Sequence, residues 1–360
     1  LTAVPRSLGV IGAGAEGLAL AAYLSSASHR VHLYTRDPRR IAGVTRDGRI
    51  RARGTIEGEF PVSSVTDDIG TVVRRCSVMF VATVTTAYLG VARELARHLS
   101  GRHTVVLFSG KLCGCAEFTT ALAGAGSEDA DVIEMDALFA ARPDGDRGVR
   151  VHGFKRWTLF SGLTQRVTDR HADFLREMFP GVEPAANVIE RGLADFGAVA
   201  HAPITLANIS RIDRGEQVLF YREGLSERTI VLLEALSAEF HAVGRAYSAD
   251  VPPPAELLDL YYGGRRDGGV LETMRTMPVY RAIFAPTSLD HRMLREDVAS
   301  TLVPLSELAR RAGVPVPVTD AIVTFVSVLA GENYRSTGRT LARLGWERLS
   351  GRQILQRIQS

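Results

Sequence analysis

Lysine is nearly absent from this sequence: of its 43 basic residues only Lys111 and Lys155 are lysine, and the rest are arginine. The arginines are scattered among 40 acidic residues, for a net charge of +3, and form no stripe. A solvated surface of mixed charge follows, and a nucleic-acid partner is not expected. Cysteine is sparse too. Cys76, Cys113 and Cys115 form an odd set without paired spacing, which excludes a disulfide framework and makes a reducing cytoplasm the expected compartment. The pair Cys113 and Cys115 is open to a metal or redox role, against two small buried residues beside a glycine-rich turn. No metal centre is expected. No apolar run reaches the roughly 18 residues that span a bilayer, and residues 1–10 carry no signal-peptide pattern, so no membrane partner is expected.

What is present is a chain of 360 residues, 46% hydrophobic and 23% charged, which is ordinary for globular proteins and long enough for two domains. Abundant Ala, Gly and Arg fit a GC-rich bacterial genome. Up to about residue 185, short β-branched runs alternate with helical patterns, as in a parallel sheet covered by helices. Residues 8–11, 30–34, 77–82 and 104–108 read as strands, and 15–24 as a small-residue helix. Residues 49–60 alternate in period two and are expected as an antiparallel ribbon set on the parallel sheet. Residues 149–163 are expected as two further edge strands. From Arg191 onward apolar residues recur every three or four positions, with long amphipathic segments at 229–243, 296–312 and 319–329. The expected architecture is an α/β domain over 1–185 with added antiparallel strands, followed by an all-α domain over 186–360.

Gly12-Ala13-Gly14-Ala15-Glu16-Gly17 reads GxGxxG between a strand and a helix, the context in which that pattern binds a dinucleotide. Gly12 permits the tight turn, Gly14 admits a pyrophosphate to the helix N-terminus, and Gly17 lets the helix pack on the strand. The first domain is therefore Rossmann-like, with a ligand-free glycine turn as the alternative. The second strand ends in Tyr34-Thr35-Arg36-Asp37-Pro38-Arg39-Arg40. Thr35 offers no carboxylate to repel a 2′-phosphate, and Arg36 with Arg39 or Arg40 can clamp one in bidentate fashion. NADP(H) is expected over NAD(H), with Asp37 on the ribose of NAD as the alternative. Thr83 follows a central strand, where the open edge of such a sheet receives the rest of the nucleotide.

The helical half opens with Asn187-Val188-Ile189-Glu190, then His201-Ala202-Pro203 and, five residues on, Asn208. Further along come Arg292-x4-Asp297 and Gly338-Arg339-Thr340-Leu341-x-x-Leu344-Gly345. By residue type alone, His201 is a catalyst or a satisfied core histidine. Asp297 is a partner carboxylate or a helix-start acid. Arg292 is a carboxylate fork or a surface residue. Lys111, just beyond the carboxyl end of a strand, is a carboxylate-binding or carbonyl-polarising group or an exposed loop residue. Lys155 reads as structural or surface.

Together with Phe108-Ser109-Gly110 and Glu117-Phe118, this ordered set resembles the opine dehydrogenases, the octopine/nopaline dehydrogenase family, over nearly the whole chain. The resemblance implies an N-terminal Rossmann domain, a C-terminal helical domain, and NAD(P)H-dependent reductive condensation. An amino acid amine and a 2-oxo acid would join through an imine to give an N-(carboxyalkyl)amino acid. It makes His201 the catalytic acid–base, Asp297 its partner and Arg292 the binder of the 2-oxo acid carboxylate; Lys111, from its place beyond a strand end, and Asn208 are further candidate substrate contacts. The stretch 109–115 departs from the PG and GG usual in that family. Substrates are expected in a cleft between the domains, with the helical domain supplying the amine pocket, where Tyr221, Glu223 and segment 261–264 are pocket or core residues, and a homodimer as the candidate assembly. Two rivals stand beside this reading. One is a glycerol-3-phosphate or ketopantoate reductase relative that uses Lys111 as its central acid. The other is a non-catalytic NADP(H)-binding sensor.

Overall fold

Runs of β-branched and aromatic residues buried on both faces build the central strands of the first half. In this computed structural model residues 5–263 and 269–360 are described, so Gly264 of segment 261–264 lies outside the described residues. They fall into two units, 5–110 with 115–184, and 111–114 with 185–263 and 269–360.

The first unit contains strands β1 (Ser7–Ile11), β2 (Arg30–Tyr34), β3 (Arg49–Gly54), β4 (Gly58–Pro61), β5 (Ser64–Thr66) and β6 (Val78–Val81). It continues with β7 (Thr104–Phe108), β8 (Asp131–Met135), β9 (Phe139–Pro143), β10 (Gly148–Phe154), β11 (Thr158–Gly162) and β12 (Val182–Pro184). Eight of these form one sheet in the order β12-β11-β8-β7-β6-β1-β2-β5. Its pairs are all parallel except β8 with β11. The order reverses at β1, between β2 and β6, which is where such sheets bind ligands beyond the strand carboxyl ends. Helix α1 (Ala15–Ser26) buries Leu18 to Ala22 and Leu24, and its small residues let it lie close to the strands.

The ribbon at 49–60 forms, but not on the parallel sheet. β3 and β4 pair antiparallel and join a separate four-stranded sheet, β4-β3-β10-β9, in which β3 also runs parallel to β10. The two strands expected at 149–163 likewise part company. β10 lies inside the second sheet and β11 lies between β8 and β12, so neither is an edge. Period-two alternation reports that one face is buried; it carries no information about which sheet supplies the partner.

The second unit is helical. Glu227–Ala246 is capped by Ser226 and buries Ile230, Leu233, Leu236, Phe240 and Val243, a stripe at helical spacing. It packs on Phe196–Ala207, Val303–Ala312 and Pro317–Ala330. The segment expected as one helix over 296–312 is interrupted. Arg292–Asp297 runs into a π-helical turn, Val298–Leu302, before Val303–Ala312 resumes. Pro304 explains the opening. It has no N–H to offer Ala299 in the wider register or Ser300 in the α register, while the N–H of Val303 bonds Val298. Other chain segments take the two stranded carbonyls: the N–H of Arg339 donates to Ala299 at 2.7 Å and that of Leu112 to Ser300 at 3.2 Å.

Candidate active site

The glycine fingerprint closes the gap between β1 and α1. Gly12 sits at φ +116°, and a Cβ there would lie 2.6 Å from the Ala82 carbonyl. A Cβ on Gly17 would lie 1.9 Å from the Gly12 carbonyl. The chain's own packing therefore requires both glycines. Gly14 is different: a Cβ there meets no atom within 4 Å, and its backbone is ordinary extended geometry at the N-terminus of α1 without a side-chain cap. An open space at a bare helix N-terminus fits a pyrophosphate. Nearby, the buried Thr83 hydroxyl has no hydrogen-bond partner among the described residues, which also suits a ligand group. Ala13 and Ala15 are half-buried, whereas Glu16 turns inward to accept from the N–H of Phe139 at 3.1 Å.

At the end of β2, Thr35 is buried and Arg36 exposed. Asp37 caps the turn Pro38–Ile41 and holds Arg39 in an ion pair, Nε to Oδ1 at 2.7 Å. Arg39, though exposed, is thus engaged by Asp37, while Arg36 and Arg40 are also exposed. Burial, reinforced by Glu94, pushes the Tyr34 hydroxyl up to about 12.

Within the second unit, residues remote in sequence meet in one hydrogen-bonded chain. His201 Nδ1 lies 2.6 Å from Asp297 Oδ2, and His201 Nε2 lies 2.8 Å from the Tyr221 hydroxyl. The other oxygen of Asp297 accepts from Lys111 Nζ at 2.7 Å, and Lys111 donates again to Asp195 Oδ2 at 2.8 Å. Asp195 also caps the helix that carries His201, its Oδ1 accepting from the N–H of Ala198 at 3.3 Å. A Cβ on Gly197, one turn before His201, would lie 2.9 Å from the imidazole; the glycine leaves the ring room to lie back along the helix.

The electrostatics follow from this order. Burial pulls the Lys111 ammonium down, but Asp195, Asp297 and Glu296 outweigh it and hold the pKa well above that of a free lysine. Burial pushes Asp297 up, yet Lys111 and His201 outweigh it and keep its carboxyl below the usual range. Burial, with Tyr262 and Asp297, drives the Tyr221 hydroxyl far above its ordinary value. Asp297 thus stays an anion that accepts from Nδ1–H, leaving Nε2 as the basic end, aimed at Tyr221. Around Tyr221 stand Phe220, Tyr280 and Tyr262, with Tyr221 and Tyr280 stacked at 4.1 Å.

Lys111 reaches this cluster because residues 111–114 belong to the second unit, and it is buried, not the exposed loop residue that was the alternative. The buried Arg191 donates to its carbonyl, and the buried Arg339 donates to the carbonyl of Leu112 at 3.0 Å. Gly192 leaves the space that Leu112 occupies. Asp297, the last residue of Arg292–Asp297, is no helix-start acid. Of the other expected substrate contacts, Arg292 is 66% exposed and 3.8 Å from Glu296. Asn208 is turned to the main chain, its amide donating to Ile204 and Gly224 at 2.9 and 2.8 Å. Glu223 accepts from the N–H of Leu219. Lys155 pairs with Asp136 inside the first unit. Cys76, Cys113 and Cys115 are buried and in no disulfide, and burial raises the Cys76 thiol to about 12.

No sequence pattern singles out Asp195, and Tyr221 reads from sequence only as a pocket or core candidate, not as a partner of His201. Asp195 looks like an ordinary helix cap, which it also is, and Tyr221 sits in a stretch without periodicity. Arg339 was visible within the closing motif, but no pattern said what its guanidinium would grip.

A family model described as NAD/NADP octopine/nopaline dehydrogenase, α-helical domain, matches residues 184–330, and one for ketopantoate reductase PanE/ApbA matches residues 8–109. An opine dehydrogenase of Arthrobacter sp. (strain 1C) is 29% identical over 356 residues, covering 98% of this chain and 99% of its own. A solved octopine dehydrogenase with NADH and L-arginine superposes with a TM-score of 0.79 at 18% identity, covering 97% of this chain and 98% of that one. A yersinopine dehydrogenase with NADP+ bound reaches a TM-score of 0.69 at 14% identity, covering 98% of each chain. The fold is shared with both structures.

Proposed function

We infer that this chain, which belongs to the octopine/nopaline (opine) dehydrogenase family, condenses an amino acid amine with a 2-oxo acid and reduces the product with NAD(P)H to an N-(carboxyalkyl)amino acid. The observation that carries the reading is the 2.6 Å contact between His201 Nδ1 and Asp297 Oδ2. The reaction needs a group that takes a proton as the amine attacks the carbonyl and returns one as the carbinolamine loses water. An imidazole held in one tautomer by a buried carboxylate does both. Nε2 takes a proton from the substrate ammonium, and Asp297 stabilises the imidazolium that results. The freed amine adds to the carbonyl and passes a second proton from nitrogen to that oxygen, giving the carbinolamine; Nε2–H then protonates its hydroxyl, water leaves, and an iminium C=N bond forms. A bound nicotinamide supplies the hydride that reduces that bond. Tyr221, 2.8 Å from Nε2, either gives way to the amine or relays its proton. The exposed Arg292, borne on the same short helix as Asp297, is the proposed partner of the oxo acid carboxylate.

NADP(H) is the proposed cofactor, supported by the exposed Arg36 and by the engagement of Asp37 with Arg39. Three buried cysteines outside any disulfide fit a reducing bacterial cytoplasm. No helix among the described residues is long and apolar enough to cross a membrane. A homodimer is the proposed assembly. The ketopantoate reductase alternative is weaker: its family match ends at residue 109, before Lys111, and an ammonium clamped by two carboxylates is a poor acid.

The test is NADPH consumption over a grid of amino acids and 2-oxo acids, with and without His201→Asn. We expect turnover with at least one pairing and a fall in kcat/KM of about 10²–10⁴-fold in the variant, with cofactor binding retained. Undiminished turnover in His201→Asn would overturn the assignment.

A further inference from the structure

Lys111 is held with more care than a neutralising counterion requires. Its backbone lies in the left-handed region at φ +57°, flanked by Ser109 at +100° and Cys113 at +60°, conformations that non-glycine residues adopt only when their surroundings enforce them. The enforcement is visible. Arg191 and Arg339, each 1% exposed, grip the carbonyls of Lys111 and Leu112, and the N–H of Leu112 docks on the Ser300 carbonyl freed by Pro304. Two buried guanidiniums and a π turn converge on placing one ammonium 2.7 Å from Asp297 and 2.8 Å from Asp195.

We propose that Lys111 is a positioning residue: its ammonium locks the Asp297 carboxylate against His201 and offsets that carboxylate's hold on the His201 proton. The proposal rests on the reading of His201 as the acid–base of the reaction. With a neutral imidazole the group Asp195, Lys111, Asp297 and His201 carries one net negative charge, and protonation of His201 brings it to zero. Without the ammonium, Asp297 would draw the imidazole proton with its full charge, and the ring would take protons readily but return them poorly. The same reaction asks for both transfers. Among the described residues, the other ionisable groups acting on the cluster include Glu296, Tyr221, Tyr262 and His291. Glu296 is opposed by Arg292 at 3.8 Å, so Lys111 is the cation in direct contact with Asp297.

Lys111→Met alone would strand two buried carboxylates and endanger folding, so the informative protein is Lys111→Met/Asp195→Asn, which keeps the net charge and removes the ammonium. The His201 protonation midpoint is read by NMR of ring-labelled histidine in the full chain, with His201→Asn identifying the signal. We expect the midpoint to rise by about one pH unit in the double variant, and the acid limb of kcat/KM to move up with it. Lys111→Arg, which keeps the charge, should leave the midpoint within about 0.3 unit of the original. An unchanged midpoint in a folded double variant overturns the proposal, as does a displacement in Lys111→Arg as large as that in the double variant. The NMR reading needs no substrate. A displaced midpoint in a protein that turns over no amine and oxo acid would therefore count against the reaction and not against the role of Lys111.

Discussion

At the scale of single residues, three glycines of one motif do three separable jobs. Gly12 and Gly17 are dictated by atoms of the chain itself, the Ala82 and Gly12 carbonyls. Gly14 faces open space, and its smallness serves the chain in no visible way. The two kinds of substitution should therefore separate folding from binding. Gly14→Ala, at an N-cap with extended backbone, should cost no more than about 1 kcal/mol of stability and weaken dinucleotide binding at least tenfold. Gly17→Ala forces α1 off β1 and should lower stability by about 1–3 kcal/mol. Denaturant unfolding and cofactor titration on both variants check this; a Gly14→Ala protein with native cofactor affinity would remove the pyrophosphate from that loop.

At the scale of elements, the decisive feature is a helix that fails to be regular. The run 296–312 has the periodicity of one helix, yet Pro304 withholds an N–H from two carbonyls and a π turn opens at Val298–Leu302. Those carbonyls become the docking points for Leu112 and Arg339. Arg339 then closes the arrangement, Nη1 donating to Leu112 at 3.0 Å and to Ser300 at 3.2 Å. Arg339→Met keeps the bulk and removes the donors, leaving buried carbonyls without those partners. We expect a loss of about 2–4 kcal/mol in unfolding free energy, measured by denaturant unfolding, and a larger fall in turnover than in cofactor affinity, because the element that suffers holds Lys111. An Arg339→Met protein as stable as the original would show that the guanidinium is not what secures the 111–114 segment.

At the scale of the whole molecule, a ligand that binds only the folded chain adds its binding free energy to stability, about 2.7 kcal/mol at a hundredfold excess over Kd. NADPH should therefore raise the unfolding midpoint more than NADH at equal concentration, and Arg36→Ala should bring the NADPH shift down to that of NADH; equal shifts in the unaltered protein would count against the 2′-phosphate site. The division of the chain into a parallel α/β part and a helical part was legible because period-two and period-3.6 patterns are local properties of a sequence. So were the glycine fingerprint with its strand and helix, and the candidacy of His201 and Asp297, whose residue types and motifs are local too. The sheet that β3, β4 and β10 join was not legible, since alternation says which face is buried and not against what. Nor was the place of Lys111: residues 111–114 interrupt the first unit in sequence and belong to the second in space. The sequence by itself determined which side chains are available and which local geometry each can adopt. Only the tertiary structure decided that Tyr221, His201, Asp297, Lys111 and Asp195 share one hydrogen-bonded chain, because that depends on long-range packing through Arg191, Arg339 and a proline-opened helix, and contacts so distant in sequence leave no periodic trace.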